Sequence, residues 1–236
     1  MSTTHACGCV TAPHPVHGVT YAVSKCPGHV AALAAQPTGE AYYRAIGLLD
    51  ARGQVRFDHY VAEMAAGLGG PFPPPVPAWN GRPAAEALEV GCGVSPYVRA
   101  VTAAGYRYSG VDPDEWAVTR TLIEGGSTAL AEPFDGRHWA DCTFGLVLAA
   151  HSLEHLPDAP HALAEFRRVL VPGGHLVLLV PDDSDPTNPD HRWFFTPETL
   201  RAALAAAGFE VVTLAARRVV EKELFLYCHA RRPGGR

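Results

Sequence analysis

The chain has 236 residues, enough for one sizeable domain with an appendage. At 47% hydrophobic and 18% charged residues the composition is that of a globular protein, and no apolar run approaches the ~20 residues of a membrane span. A net charge of −5 leaves no electrostatic footprint for duplex nucleic acid, and Met1–His5 lacks the basic and apolar regions of a signal peptide, so a cytoplasmic protein is expected.

Residues 1–36 differ in kind from the rest. Cys7-Gly8-Cys9 and Cys26-Pro27-Gly28-His29 hold three of the six cysteines, as a C-x-C pair and a C-x-x-H pair sixteen residues apart. Two close ligand pairs joined by a short loop suit tetrahedral zinc, and a segment this short needs metal to supply its folding energy. Cys7, Cys9, Cys26 and His29 are therefore candidate ligands of a structural Zn2+, in a zinc-knuckle-like unit open to a protein partner. Cys92, Cys142 and Cys228 fall in or beside core elements and are expected to be ordinary buried thiols.

Residues 37–83 form the second unit. The apolar spacing of Tyr42, Tyr43, Ile46, Leu48, Leu49, Phe57, Tyr60, Val61, Met64 and Leu68 predicts one or two amphipathic helices, followed by an extended proline-rich linker at 71–77.

From residue 84 the pattern alternates strand and helix. Leu88-Glu89-Val90-Gly91-Cys92-Gly93-Val94-Ser95-Pro96 reads as a buried strand, a glycine turn and a helix start with Ser95 as N-cap and Pro96 as first residue. A second strand, Tyr106–Val111, ends in Asp112, nineteen residues after Gly93. A carboxylate there can accept hydrogen bonds from both hydroxyls of a ribose lying across the strand ends. A helix over 114–124 and a third strand near 129–134 follow.

Glu89-x-Gly91-x-Gly93 with Gly110-Val111-Asp112 resembles motifs I and II of the class I S-adenosylmethionine (SAM)-dependent methyltransferases. In that family the glycine turn cradles the methionine part of SAM and the acid orients it. The resemblance implies Glu89, Gly91, Cys92, Gly93, Asp112, Pro113 and His151 as cofactor-binding residues, with Glu132 as a candidate contact to the adenine amino group. A third glycine of a dinucleotide fingerprint is missing, since Pro96 holds its position.

Phe144–Ala150 is a fourth buried strand, and His151-Ser152-Leu153-Glu154-His155-Leu156-Pro157-Asp158 resembles motif IV of the small-molecule, type-11 and type-23-like branch. Methylating a hydroxyl calls for a nearby base, and histidine suits that role near neutral pH. His155, His151 at the strand end and His191 in the polar loop at 181–195 are the candidate catalytic residues, with Arg192 and Trp193 on the acceptor side. Arg168-Val169-Leu170-Val171-Pro172-Gly173-Gly174 resembles the family's turn into strand five, His175–Val180. Thr196 caps the last helix, and strands six and seven are expected at Phe209–Leu214 and Leu224–Ala230, with Arg231–Arg236 as a disordered basic tail.

The fold expected for residues 84–236 is α/β and Rossmann-like. The resemblance implies a seven-stranded sheet in the order 3-2-1-4-5-7-6, strand 7 antiparallel, with helices on both faces. The implied activity is SAM-dependent methylation, on oxygen, of a small-molecule or sugar-like acceptor. An NAD(P)-dependent oxidoreductase and an inactive SAM-fold binding module with a zinc-dependent interaction segment are the alternatives; Pro96 and the motif IV loop weigh against the first, and intact Gly91, Gly93 and Asp112 against the second.

Overall fold

The computed structural model describes residues 3–4, 10–16, 19–23, 39–182, 191–220 and 223–234. Cys7, Cys9, Cys26 and His29, the four candidate zinc ligands, lie outside the described residues.

Seven strands form the central sheet: β6 (Glu86–Val90), β7 (Arg107–Asp112), β8 (Thr128–Ala131), β9 (Phe144–Ala150), β10 (Leu170–Pro181), β12 (Glu210–Val220) and β13 (Glu223–Arg231). Their spatial order is β12-β13-β10-β9-β6-β7-β8, which is 3-2-1-4-5-7-6 counted along the sheet strands, as expected. The pairs β6–β7, β6–β9, β7–β8 and β9–β10 are parallel, while β13 runs antiparallel to both β10 and β12. Successive residues of a strand face opposite layers. Val147 and Ala149 thus pack with α5 (Ala159–Val169) and α6 (Pro197–Ala206), whereas Leu146 and Leu148 pack with α2 (Phe57–Leu68) and α3 (Val98–Ala103). This two-faced burial explains the near-continuous apolar runs of the parallel strands.

The helix starts show where local chemistry governs. Asp114 caps α4 (Glu115–Ile123) by accepting from the Trp116 and Ala117 amides, Asp158 caps α5, and Thr196 with Thr199 forms a capping box on α6. Ser95 does not cap α3, which begins at Val98 after Tyr97. The Ser95 hydroxyl is drawn instead into a buried bond with Glu89, 2.5 Å away, and accepts from the Tyr97 amide.

Further expectations need correction. The proline-rich linker runs directly into a hairpin of β4 (Val76–Trp79) and β5 (Arg82–Ala84). The Pro172-Gly173-Gly174 segment is not a turn ahead of strand five. It is an irregularity within β10, where the register with β9 shifts between Leu170 and His175. The basic tail is ordered in its first part: Arg231 ends β13, and the Arg232 guanidinium donates to the carbonyls of Arg167, Arg168 and Leu170. Cys92 and Cys228 are buried as expected, but Cys142 is only half-buried.

The amino-terminal backbone contains β1 (Thr3–Thr4), β2 (Val10–Val16) and β3 (Val19–Val23), and β3 pairs with β11 (Trp193–Phe194), which follows the polar loop. No helix among the described residues is long and apolar enough to cross a membrane.

Candidate active site

A cleft of about 500 Å3 opens at the carboxyl ends of β6, β7 and β9, where the strand order reverses. That is the position at which open α/β sheets bind ligands, and the volume is in the range of small-molecule sites.

One end of the cleft is the glycine turn. Gly91 and Gly93 have φ of +67° and +50°, the left-handed region where a side chain is strained. A Cβ at Gly91 would stand 2.4 Å from Ser152 Cβ, and one at Gly93 would stand 3.0 Å from the Tyr43 ring. The bare backbone is therefore required twice over. Asp112 binds the turn to the end of β7: its Oδ2 accepts from the Gly93 amide at 2.9 Å and its Oδ1 from the Asp114 amide at 2.8 Å. Each oxygen keeps a lone pair for a ligand hydroxyl. Burial raises the Asp112 carboxyl above its ordinary value, and the two amides hold it down.

Glu89 is the buried one of the two charged side chains on β6. Its Oε2 accepts from the hydroxyls of Ser95 and Tyr108, leaving Oε1 at the cleft wall without a donor among the described residues. Burial pushes this carboxyl up to about 8, against the opposing pull of both hydroxyls. Cys92 and Pro113 also line the cleft, and burial raises the Cys92 thiol well above its usual range.

A lid closes over the turn. The helix α1 (Glu40–Ala45) begins where the Gly39 amide donates to Asp114 Oδ2, and it places Tyr42 and Tyr43 on the cleft. Tyr43 stacks on Trp116 with ring centres 5.8 Å apart. His59 on α2 does not line the cleft; it lies beside Tyr60 and Glu63.

The far end of the cleft is formed by β9 and the loop after it. His151 has φ +52° and its amide donates to Leu179 O, so the chain turns sharply and puts the imidazole at the cleft wall. Histidine is among the few residues that adopt this region without large cost. A short 3-10 helix, Leu153–His155, then buries Glu154 completely and returns His155 to the cleft. Glu154 Oε1 lies 3.7 Å from His151 Nδ1 and 3.9 Å from His155 Nε2. The three imidazoles of His151, His155 and His191 hold this carboxyl below its ordinary value in spite of burial.

Two sequence candidates are not on the cleft surface. Glu132 pairs with His138 at 2.9 Å, and its neighbours Pro133 and Phe134 line the cleft in its place. His191 is buried behind His155, with ring centres 5.1 Å apart. Trp193 is buried as well and donates to the Leu156 carbonyl. Glu154, in turn, is a site residue that the sequence reading did not single out.

Comparison with known proteins agrees with this geometry. A family described as "Methyltransferase domain" matches residues 57–214. The 27-O-demethylrifamycin SV methyltransferase of Amycolatopsis mediterranei is 32% identical over 99 residues, which are 39% of this chain and 36% of the relative. The chain spans only 24–36% of the length of the curated relatives it matches. Among solved structures, the Burkholderia thailandensis 1,6-didemethyltoxoflavin-N1-methyltransferase, with 1,6-didemethyltoxoflavin and S-adenosylhomocysteine bound, superimposes with a TM-score of 0.60. It is 19% identical, and the match covers 94% of this chain and 99% of that one. A SAM-dependent methyltransferase of Mesorhizobium loti gives a TM-score of 0.51 at 19% identity, over 64% of this chain and 93% of that one. At these identities the structural likeness speaks for the fold, while the matched domain spans most of the sheet, the glycine turn and Asp112. The chain belongs to the methyltransferase-domain family.

Proposed function

We propose that the protein transfers a methyl group from SAM to an oxygen of a small-molecule acceptor. One observation carries the reading. A single cleft joins a glycine turn flanked by Glu89 and Asp112 to a wall formed by His151 and His155. The donor set fits the cofactor. Glu89 Oε1 is an acceptor for an ammonium, Asp112 has lone pairs for ribose hydroxyls, and Gly91 and Gly93 leave backbone where side chains would block entry. When bound, SAM supplies an electrophilic methyl group on a sulfonium.

The remaining work falls to the chain. Tyr42 and Tyr43 cover the glycine turn and exclude water, which strengthens the electrostatics inside. The loop after β9 sets the acceptor in line with the methyl group, and such positioning alone is worth many kcal/mol. His151 stands at the acceptor side with Nδ1 toward Glu154, so its other nitrogen can take the acceptor's proton. The name of the Amycolatopsis relative supports an oxygen acceptor. The Burkholderia enzyme's name specifies a nitrogen, and its likeness here is one of fold.

Calorimetry with SAM and S-adenosylhomocysteine tests the cofactor, and transfer of a labelled methyl group to a panel of phenols, sugars and amines tests the acceptor. Binding of both cofactor forms and methyl ether products are expected. A folded protein that binds neither form would reject the reading.

A further inference from the structure

We propose that Glu154, His155 and His191 form a site for a divalent transition-metal ion at the acceptor end of the cleft. The inference deepens the proposed reaction and rests on it only for the ion's role.

The observation behind it is a carboxylate in the wrong surroundings. Glu154 is fully buried, and among the described residues neither oxygen receives a hydrogen bond of normal geometry. Its ionic neighbours His151 and His155 stand 3.7 and 3.9 Å away, too far to satisfy it. An ionised carboxylate stripped of water and left without donors is costly, and proteins keep one only where a cation compensates it. Among the described residues the side chains set against it are imidazoles, not arginine or lysine. Imidazoles are half-measures as cations near neutral pH but are good metal ligands when neutral.

The geometry supports a metal. One ligand atom from each of Glu154, His155 and His191 lies within 4.8 Å of the others. Ligands about 2.1 Å from an ion stand about 3.4 Å apart in a tetrahedral shell, so closing the site needs a contraction of up to roughly 1.4 Å. The backbone already holds the two segments together, since the Arg192 amide donates to the Glu154 carbonyl at 2.8 Å. Two imidazoles with one carboxylate and no thiolate suit Zn2+, Fe2+, Mn2+ or Co2+ over Mg2+ or Ca2+, which prefer all-oxygen shells. Because His155 faces the cleft, the open coordination positions would too. An acceptor hydroxyl bound there would give up its proton to His151 near neutral pH, leaving an oxyanion for methylation. The acceptor class implied is an oxygen nucleophile able to ligate a metal.

The test uses full-length protein carrying Cys7→Ser, Cys9→Ser and Cys26→Ser, so that amino-terminal thiols contribute nothing. After chelator treatment and dialysis it is titrated with Co2+ and Zn2+, reading metal content by mass spectrometry and Co2+ by visible absorption. One equivalent is expected, with ligand-field bands and no thiolate charge-transfer band. Glu154→Gln and His191→Ala should each weaken binding at least tenfold, and His59→Ala should not. If Glu154→Gln fails to fold by circular dichroism, His155→Ala and His191→Ala carry the test. Metal content no higher than the buffer, or full retention by the folded variants, would overturn the site. SAM binding measured on the same stripped protein separates the two readings. Cofactor without metal rejects this site alone, and metal without cofactor rejects the proposed reaction alone.

Discussion

The Asp112 carboxylate accepts the Gly93 amide at 2.9 Å, and so ties the acid ending one strand to the glycine turn leaving its neighbour. The two features are 19 residues apart in the chain and form one ligand wall. Replacing Asp112 by Ala should weaken SAM binding by roughly 1.5–3 kcal/mol, about 10- to 150-fold, because charged hydrogen bonds to the ribose are lost. Calorimetry on the folded variant decides the matter, and an unchanged affinity would remove Asp112 from the cofactor site.

Glu89 carries a pH signature. Its carboxyl is raised from 4.5 to about 8 by burial, so the ligand-free protein holds it protonated at neutral pH. The methionine ammonium needs the carboxylate form. Binding should therefore expel close to one proton at pH 7, and affinity should fall below pH 8 by up to tenfold per pH unit. Stability of the free protein runs in the opposite direction. A raised carboxyl contributes fully below about pH 4.5, and that contribution is lost as the pH climbs through 8. Calorimetry in two buffers of different ionisation enthalpy reads the proton directly, and Glu89→Gln should abolish it. Binding with no proton exchange would show that Glu89 is already ionised or takes no part.

The Gly91 position makes a steric prediction. Gly91→Ala places a Cβ 2.4 Å from Ser152 Cβ at a φ of +67°. Ser152 cannot easily retreat, because its hydroxyl donates to the Val90 carbonyl at 2.7 Å. Destabilisation of roughly 2–4 kcal/mol and loss of cofactor binding are expected. Adding Ser152→Gly should recover part of the stability by removing the contact, while the backbone strain at Gly91 remains. Purely additive effects of the two changes in thermal melts would mean the contact is not the cause.

Several core strands were legible in the chain because they close on local signals, β6 on Gly91, β7 on Asp112 and β10 on Pro181, whereas their order in the sheet came from the family resemblance. The glycine turn and Asp112 were legible for the same reason. Ser95 misled, since a serine before a proline looks like an N-cap until the buried Glu89 competes for its hydroxyl. Glu132 misled likewise, because nothing local shows that His138, six residues on, will take its carboxylate. Glu154 was invisible as a site residue. In sequence it is an acid in a polar loop, and it becomes a buried, undersatisfied carboxylate only when His191 and β11 fold over it from nearly forty residues away. Arg232 is a similar case, a tail residue whose partners at Arg167, Arg168 and Leu170 come from another part of the chain.

The last prediction concerns acid stability and a pair outside the cleft. His175 on β10 and His229 on the adjacent β13 share a hydrogen bond of 2.9 Å between Nδ1 and Nε2. Only one proton fits between two such nitrogens, so the pair is stable while both rings are neutral. Burial, with His229 and Arg231 adding to it, pushes His175 down from 6.5 to about 4, although a bond to the Pro74 backbone pulls the other way. Burial and Arg231 also lower His229. A histidine depressed in the folded state contributes stability that is complete above its unfolded value of 6.5. That contribution is lost as the pH falls from 6.5 toward 4, because only the unfolded chain takes up the proton readily. The loss should be on the order of 1–2 kcal/mol, after allowance for the partial exposure of His229. Thermal melts from pH 7 to 4 should show a steeper decline for the natural protein than for His175→Phe, which removes the titrating ring and fills the same space. Parallel curves for the two proteins would show that the pair does not govern acid stability.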